Sequence, residues 1–183
     1  MRDARRMSAA LRALTTEEFL AWERAQPERY EFDGIQPIGM TGGSSRHAVV
    51  GGRLIGALSA RLQPPCEVLT NELKVLTPGG RVRYPDASVA CSGIDEQTDL
   101  IAPVVVFEVM SPSSALTDRR VKPREYAGVP SILACVVLDQ TEPEVLVFRR
   151  SDDWRESVLR GTDAVLALPE IGVEIPLCAI YRD

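Results

Sequence analysis

Glu108 sits inside Val104-Val105-Val106-Phe107-Glu108-Val109, a continuous apolar and largely β-branched run that reads as a strand buried on both faces. A bare carboxylate in such a place costs several kcal/mol, so the fold has to supply a cation, a proton or hydrogen bonds. Upstream, Arg83-Tyr84-Pro85-Asp86 leads into Asp86-Ala87-Ser88-Val89-Ala90-Cys91. That segment alternates after a proline and predicts a second strand with Asp86 at its entry. Residues 92–103 between the two runs are polar and predict a surface connection. If the strands are neighbours, Asp86 and Glu108 face each other at one sheet end. Two carboxylates that close repel unless a divalent cation lies between them, and hard oxygen ligands suit magnesium or manganese. The plainer expectation is that Asp86 caps the turn after Pro85 and Glu108 pairs with an arginine.

Metal-assisted phosphodiester hydrolysis also calls for a cation near the attacking water, and a lysine supplies it. The sequence carries Tyr30-Glu31-Phe32-Asp33-Gly34, then Arg46-His47, Tyr84-Pro85-Asp86-Ala87-Ser88-Val89, Phe107-Glu108-Val109-Met110-Ser111-Pro112-Ser113, Asp118, Lys122 and Tyr126. Pro130-Ser131, Val136-Val137-Leu138-Asp139-Gln140 and Val145-Leu146-Val147-Phe148-Arg149-Arg150 follow. In that order and spacing, from about Thr15 to the C-terminus, the chain resembles the Uma-two family of restriction-endonuclease-like proteins within the PD-(D/E)xK nuclease superfamily. The resemblance implies an α/β restriction-endonuclease-like core with a mixed, curved central β-sheet flanked by helices. It implies a metal-dependent endonuclease, with DNA as the expected substrate. Asp86 and Glu108 would hold magnesium or manganese with the Val109 carbonyl, Glu31 would be a third acid, and Lys122 would orient water or stabilise developing charge. His47, Arg83 and Tyr126 would contact substrate or order the site.

One departure matters. The superfamily pattern places lysine two residues after the second acid, where this chain has Met110, which carries no charge and donates no hydrogen bond. Lys122, on the helix that follows, matches the family's displaced lysine. Pro123 directly after it implies either a helix start near Val121 or a kink. Lys74 is the reserve candidate, with strand-edge solvation as its plainer role.

With 183 residues, 45% of them hydrophobic and 26% charged, the chain predicts one domain over 15–183 behind an arginine-containing lead-in at 1–14. A net charge of −5 argues against general affinity for phosphate backbones. A nuclease with this balance needs a local basic strip, which Arg81, Arg83, Arg119, Arg120 and Arg124 would form around the acids. Cys66, Cys91, Cys135 and Cys178 lack paired spacing and read as reduced core residues, which points to the cytoplasm. No stretch is long and apolar enough to span a membrane, and no signal peptide is evident. Gly-rich 41–45 lacks the features of a nucleotide-binding loop.

Thr15-Thr16-Glu17-Glu18 is a capping box that predicts a helix over 16–26. Asp33-Gly34 predicts a hairpin, and apolar spacing predicts a long helix over 46–62. Short strands are expected at 67–70, 74–77 and 81–84, a buried strand at 133–138 with a hairpin partner at 145–148, an outer strand at 154–159, and a last turn of helix near 177–181. A homodimer is a further expectation. Two rival readings remain: a nuclease-like fold that has lost its chemistry and serves binding or assembly, and a metal-dependent hydrolase of a substrate other than nucleic acid.

Overall fold

The run around Glu108 forms the central strand of a six-stranded mixed sheet. The computed structural model describes residues 13–40, 42–92, 98–111 and 114–182, so parts of the expected lead-in, of the Gly-rich loop and of the polar connection, together with Pro112-Ser113, lie outside the described residues. Its elements in chain order are α1 (Thr16–Glu23), β1 (Tyr30–Phe32), β2 (Pro37–Gly39), α2 (Ser45–Ser59), β3 (Glu67–Thr70), β4 (Val75–Thr77), β5 (Arg81–Arg83), β6 (Ala87–Ala90) and β7 (Val105–Met110). A π-turn (Thr117–Val121), α3 (Lys122–Ala127), β8 (Ala134–Asp139), β9 (Glu144–Arg149), β10 (Glu156–Arg160), β11 (Val165–Leu168) and β12 (Val173–Pro176) complete it.

The main sheet runs β10-β9-β8-β7-β6-β3. β7 pairs antiparallel with β6 and parallel with β8, so the connection from β7 to β8 crosses over through the π-turn and α3. A smaller sheet, β2-β1-β5-β4, stands beside it, and β11 pairs with β12.

Alternation along β7 decides which side chains meet which helix. Val105, Phe107 and Val109 join Val50, Leu54 and Leu58 of α2 in one core. Val106 faces the other way and packs with Tyr126, Val129 and Ile132. Glu108 shares that second face by period, which aims it at α3.

The helix starts follow local chemistry. Thr15 and Glu18 form the capping box as expected, and Ser44 Oγ accepts from the His47 amide to open α2. Phe19 of α1 stacks on Phe32 of β1 with ring centroids 4.7 Å apart, which fixes the small sheet. The hairpin at Asp33-Gly34 forms, but with a four-residue loop in which Asp33 Oδ1 accepts from the Ile35 and Gln36 amides.

Several expectations need correcting. Cys66 and Cys91 form a disulfide rather than resting as thiols. The reason is register: β3 and β6 pair Glu67 with Ala90, and the next pair outward is Cys66 with Cys91. Disulfides belong to oxidising compartments, so the thiol argument for a cytoplasmic location falls away. Cys135 is a buried thiol and Cys178 an exposed one. Lys74 is neither a site residue nor solvated: it is 1% exposed, 2.6 Å from both Glu23 and Asp99. The outer strand starts at Glu156, because Asp153 and Trp154 both adopt left-handed backbone. β11 was not anticipated. Among the described residues no helix is long and apolar enough to cross a membrane.

Candidate active site

Four elements deliver acids to one cleft of about 710 Å³, lined by Glu31, His47, Tyr84, Asp86, Glu108, Val109, Asp118 and Lys122 among others. Glu31 comes from β1, where Phe32 turns inward and leaves its neighbour on the opposite side. Asp86 immediately precedes β6, opposite Glu108 of β7. Asp118 lies in the π-turn, and Lys122 opens α3.

Asp86 does not cap the turn after Pro85. Its Oδ2 accepts from the Val109 amide at 2.7 Å and lies 3.2 Å from His47 Nε2. It therefore closes the end of the β6–β7 pair while holding the imidazole. The hydrogen bond to Asp86 raises the His47 pKa, more than partial burial lowers it. Glu108 does not pair with an arginine. It is 2% exposed, its Oε1 accepts from the Tyr126 hydroxyl at 2.6 Å and its Oε2 from Lys122 Nζ at 2.9 Å. Burial pushes its carboxyl up to about 8; Lys122 pulls the other way, while Asp86, Asp118 and Glu31 add to the rise.

Lys122 stands among three carboxylates. Besides Glu108, its Nζ is 3.3 Å from Glu31 Oε1 and 3.3 Å from Asp118 Oδ1. Burial disfavours its charge, but Glu108, Glu31 and Asp118 outweigh that and hold its pKa well above the ordinary lysine value. Pro123 does not displace it. The proline falls in the first turn of α3, where a missing N–H costs nothing. Met110, in the superfamily's lysine position, packs partly buried against the cluster containing Val106 and Val75. The charge missing from β7 thus arrives from the crossover.

Arg83 is spent on structure. It is 3% exposed, donates to Glu31 Oε2 at 3.0 Å and grips both oxygens of Glu125 at 2.7 and 3.0 Å. Arg81 also meets Glu125, at 3.3 Å. Arg119, Arg120 and Arg124 line a different hollow. The basic strip expected around the acids is therefore not formed by these five residues.

One participant, Glu125, lacked a clear sequence signal. Glu125 is recognisable only once the fold brings β5 to α3. Asp118 had one: Asp118, Lys122 and Tyr126 recur every four residues, which puts them on one helix face.

Hard carboxylate oxygens in excess of cations suit magnesium or manganese, so the donor set fits such an ion by chemistry. Among the described residues no three His, Cys, Asp or Glu side chains form a ready ion site. Lys122 is the charge that balances these acids in the present arrangement.

A model of the Uma2 family, described as "Putative restriction endonuclease", matches residues 16–178. The chain belongs to the Uma2 family. A relative, "Uncharacterized protein slr1290" of Synechocystis, is 32% identical over 181 residues, covering 96% of this chain and 95% of its own. Among solved structures, a chain described as a "putative nuclease belonging to DUF820" from Anabaena variabilis superposes with a TM-score of 0.76 at 18% identity, over 91% of this Uma2 protein and 97% of that chain. That likeness shows the α/β fold with its mixed central sheet.

Proposed function

We propose that this chain is a metal-dependent endonuclease that hydrolyses phosphodiester bonds in DNA. The observation that supports it best is the convergence of Glu31, Asp86, Glu108 and Lys122, from four elements, on one cleft. Asp86 and Glu108, with the Val109 carbonyl, are the residues to hold magnesium or manganese. A bound divalent ion of this kind lowers the pKa of water and offsets charge on phosphate.

The chain's own groups then divide the work. Lys122 is held protonated, so it serves as a hydrogen-bond donor and positive charge beside the phosphate, and not as a general base. Glu31 keeps Lys122 and Arg83 in place. Tyr126 fixes the Glu108 carboxylate through its hydroxyl. His47, whose pKa Asp86 raises, adds a second donor at the cleft wall.

The test is magnesium and manganese calorimetry on wild type and Asp86→Ala, with plasmid nicking on the same samples. Binding and nicking that Asp86→Ala removes together are the expected result. Metal binding without cleavage of any nucleic acid would point to a different substrate, and absence of binding would leave a module without chemistry.

A further inference from the structure

The helix that carries Lys122 has a second face. Asp118, Lys122 and Tyr126 form the row facing Glu108; Arg120 and Arg124, offset from it by two residues, form the row on the opposite side. These two arginines are exposed and have no side-chain partner among the described residues. With Trp154, Phe148 and Pro123 they line a separate hollow of about 580 Å³, whose other two charges, Arg119 and Glu156, pair with each other at 2.8 Å. A chain of net charge −5 thus concentrates unpaired positive charge around an aromatic floor.

The aromatic is held there at a cost. Asp153 and Trp154 take φ of 48° and 58°, a region that bulky residues avoid and that costs about 1–3 kcal/mol apiece. This backbone places the indole 5.3 Å from the Arg150 guanidinium. Arg150 is itself fixed by the carbonyls of Val129 and Ile132. Trp154 packs partly buried against the cluster of Val106 and Phe148 and also lines the hollow, which Arg150 does not. A preset aromatic surface beside two free guanidiniums matches a nucleobase and the phosphates next to it.

We infer that this hollow is a second nucleic-acid contact, which takes a single-stranded segment by stacking a base on Trp154 and holding its phosphates with Arg120 and Arg124. The inference rests on the nuclease reading for its ligand class. The π-turn and α3 contribute to both surfaces, Asp118 and Lys122 to the cleft and Arg120, Pro123 and Arg124 to the hollow, and a helix is about 10–12 Å across with its side chains.

The experiment is anisotropy of a fluorescein-labelled oligothymidylate titrated with the full chain in chelator, across a salt series. The double variant Arg120→Ala/Arg124→Ala should bind roughly tenfold more weakly, with a salt slope shallower by about 1.4 for two lost phosphate contacts. Trp154→Ala should also lose roughly tenfold, while Trp154→Phe, which still offers a ring, keeps most of the affinity. Unchanged affinity and slope in the arginine double variant would overturn the inference, as would wild-type protein that binds no oligothymidylate or binds polyglutamate equally well. Because chelator removes catalysis from the assay, nicking that survives alongside unchanged binding would remove this hollow and leave the nuclease standing.

Discussion

Glu108→Gln should flatten the pH dependence of stability. In the folded chain burial holds the Glu108 carboxyl at about 8, against an ordinary value of 4.5. Between those values the folded state keeps a proton that the unfolded chain has released. The unfolded state therefore binds fewer protons, and stability falls as pH rises through the window. The slope approaches about 1.4 kcal/mol per pH unit while the two states differ by one proton. Glutamine cannot titrate, so the variant loses this slope whatever its absolute stability. The residue is 2% exposed, so solvent screening does not dilute the effect. Urea unfolding at unit pH steps in chelator, extrapolated to water, reads the difference between the two proteins. Parallel pH profiles for wild type and Glu108→Gln would refute the reasoning, because they would show that Glu108 is not the group whose proton burial retains.

Three further outcomes follow from the same geometry. Asp86→Ala should remove metal binding in calorimetry, and by leaving the Val109 amide without its acceptor it should cost about 1–3 kcal/mol in denaturant unfolding. Lys122→Met leaves Glu31, Glu108 and Asp118 uncompensated; in chelator it should lose about 3–5 kcal/mol, partly restored by magnesium in a thermal melt. Alkylation of the denatured, unreduced protein should label Cys135 and Cys178 only, as counted by intact mass. Reduction should then expose two more thiols and cost about 3.5 kcal/mol for a loop of 25 residues.

What could be read from the sequence was local. The apolar run at Glu108, the alternation after Asp86, the capping box at Thr15 and the apolar spacing of α2 each carry their structure within a few residues. The encounter of Asp86 with Glu108 also followed, because two short strands either side of one surface connection are natural neighbours. What stayed hidden depends on elements distant in sequence. Lys74 looks like an edge lysine until the fold buries it between Glu23 and Asp99. Cys66 and Cys91 show no paired spacing, since only the register of β3 on β6 brings them together. Arg83 and Arg119 look equivalent in a list of arginines, yet one is locked to Glu31 and Glu125 while the other belongs to the far face of a helix. Met110 seemed to remove a charge from the cleft. Only the crossover geometry shows that Lys122 replaces it.

The π-turn at 117–121 gives this arrangement a phase. Such a turn holds one residue more than an α-turn, and one residue is about 100° of rotation around the axis. Winding the same residues as an ordinary α-helix would leave every functional group of α3 in the chain and every strand in the sheet. It would also swing Lys122 and Tyr126 about a quarter turn away from Glu108, and carry Arg124 off its hollow by the same angle. For this chain, losing its chemistry does not require losing a chemical group; a shift in helical timing is enough.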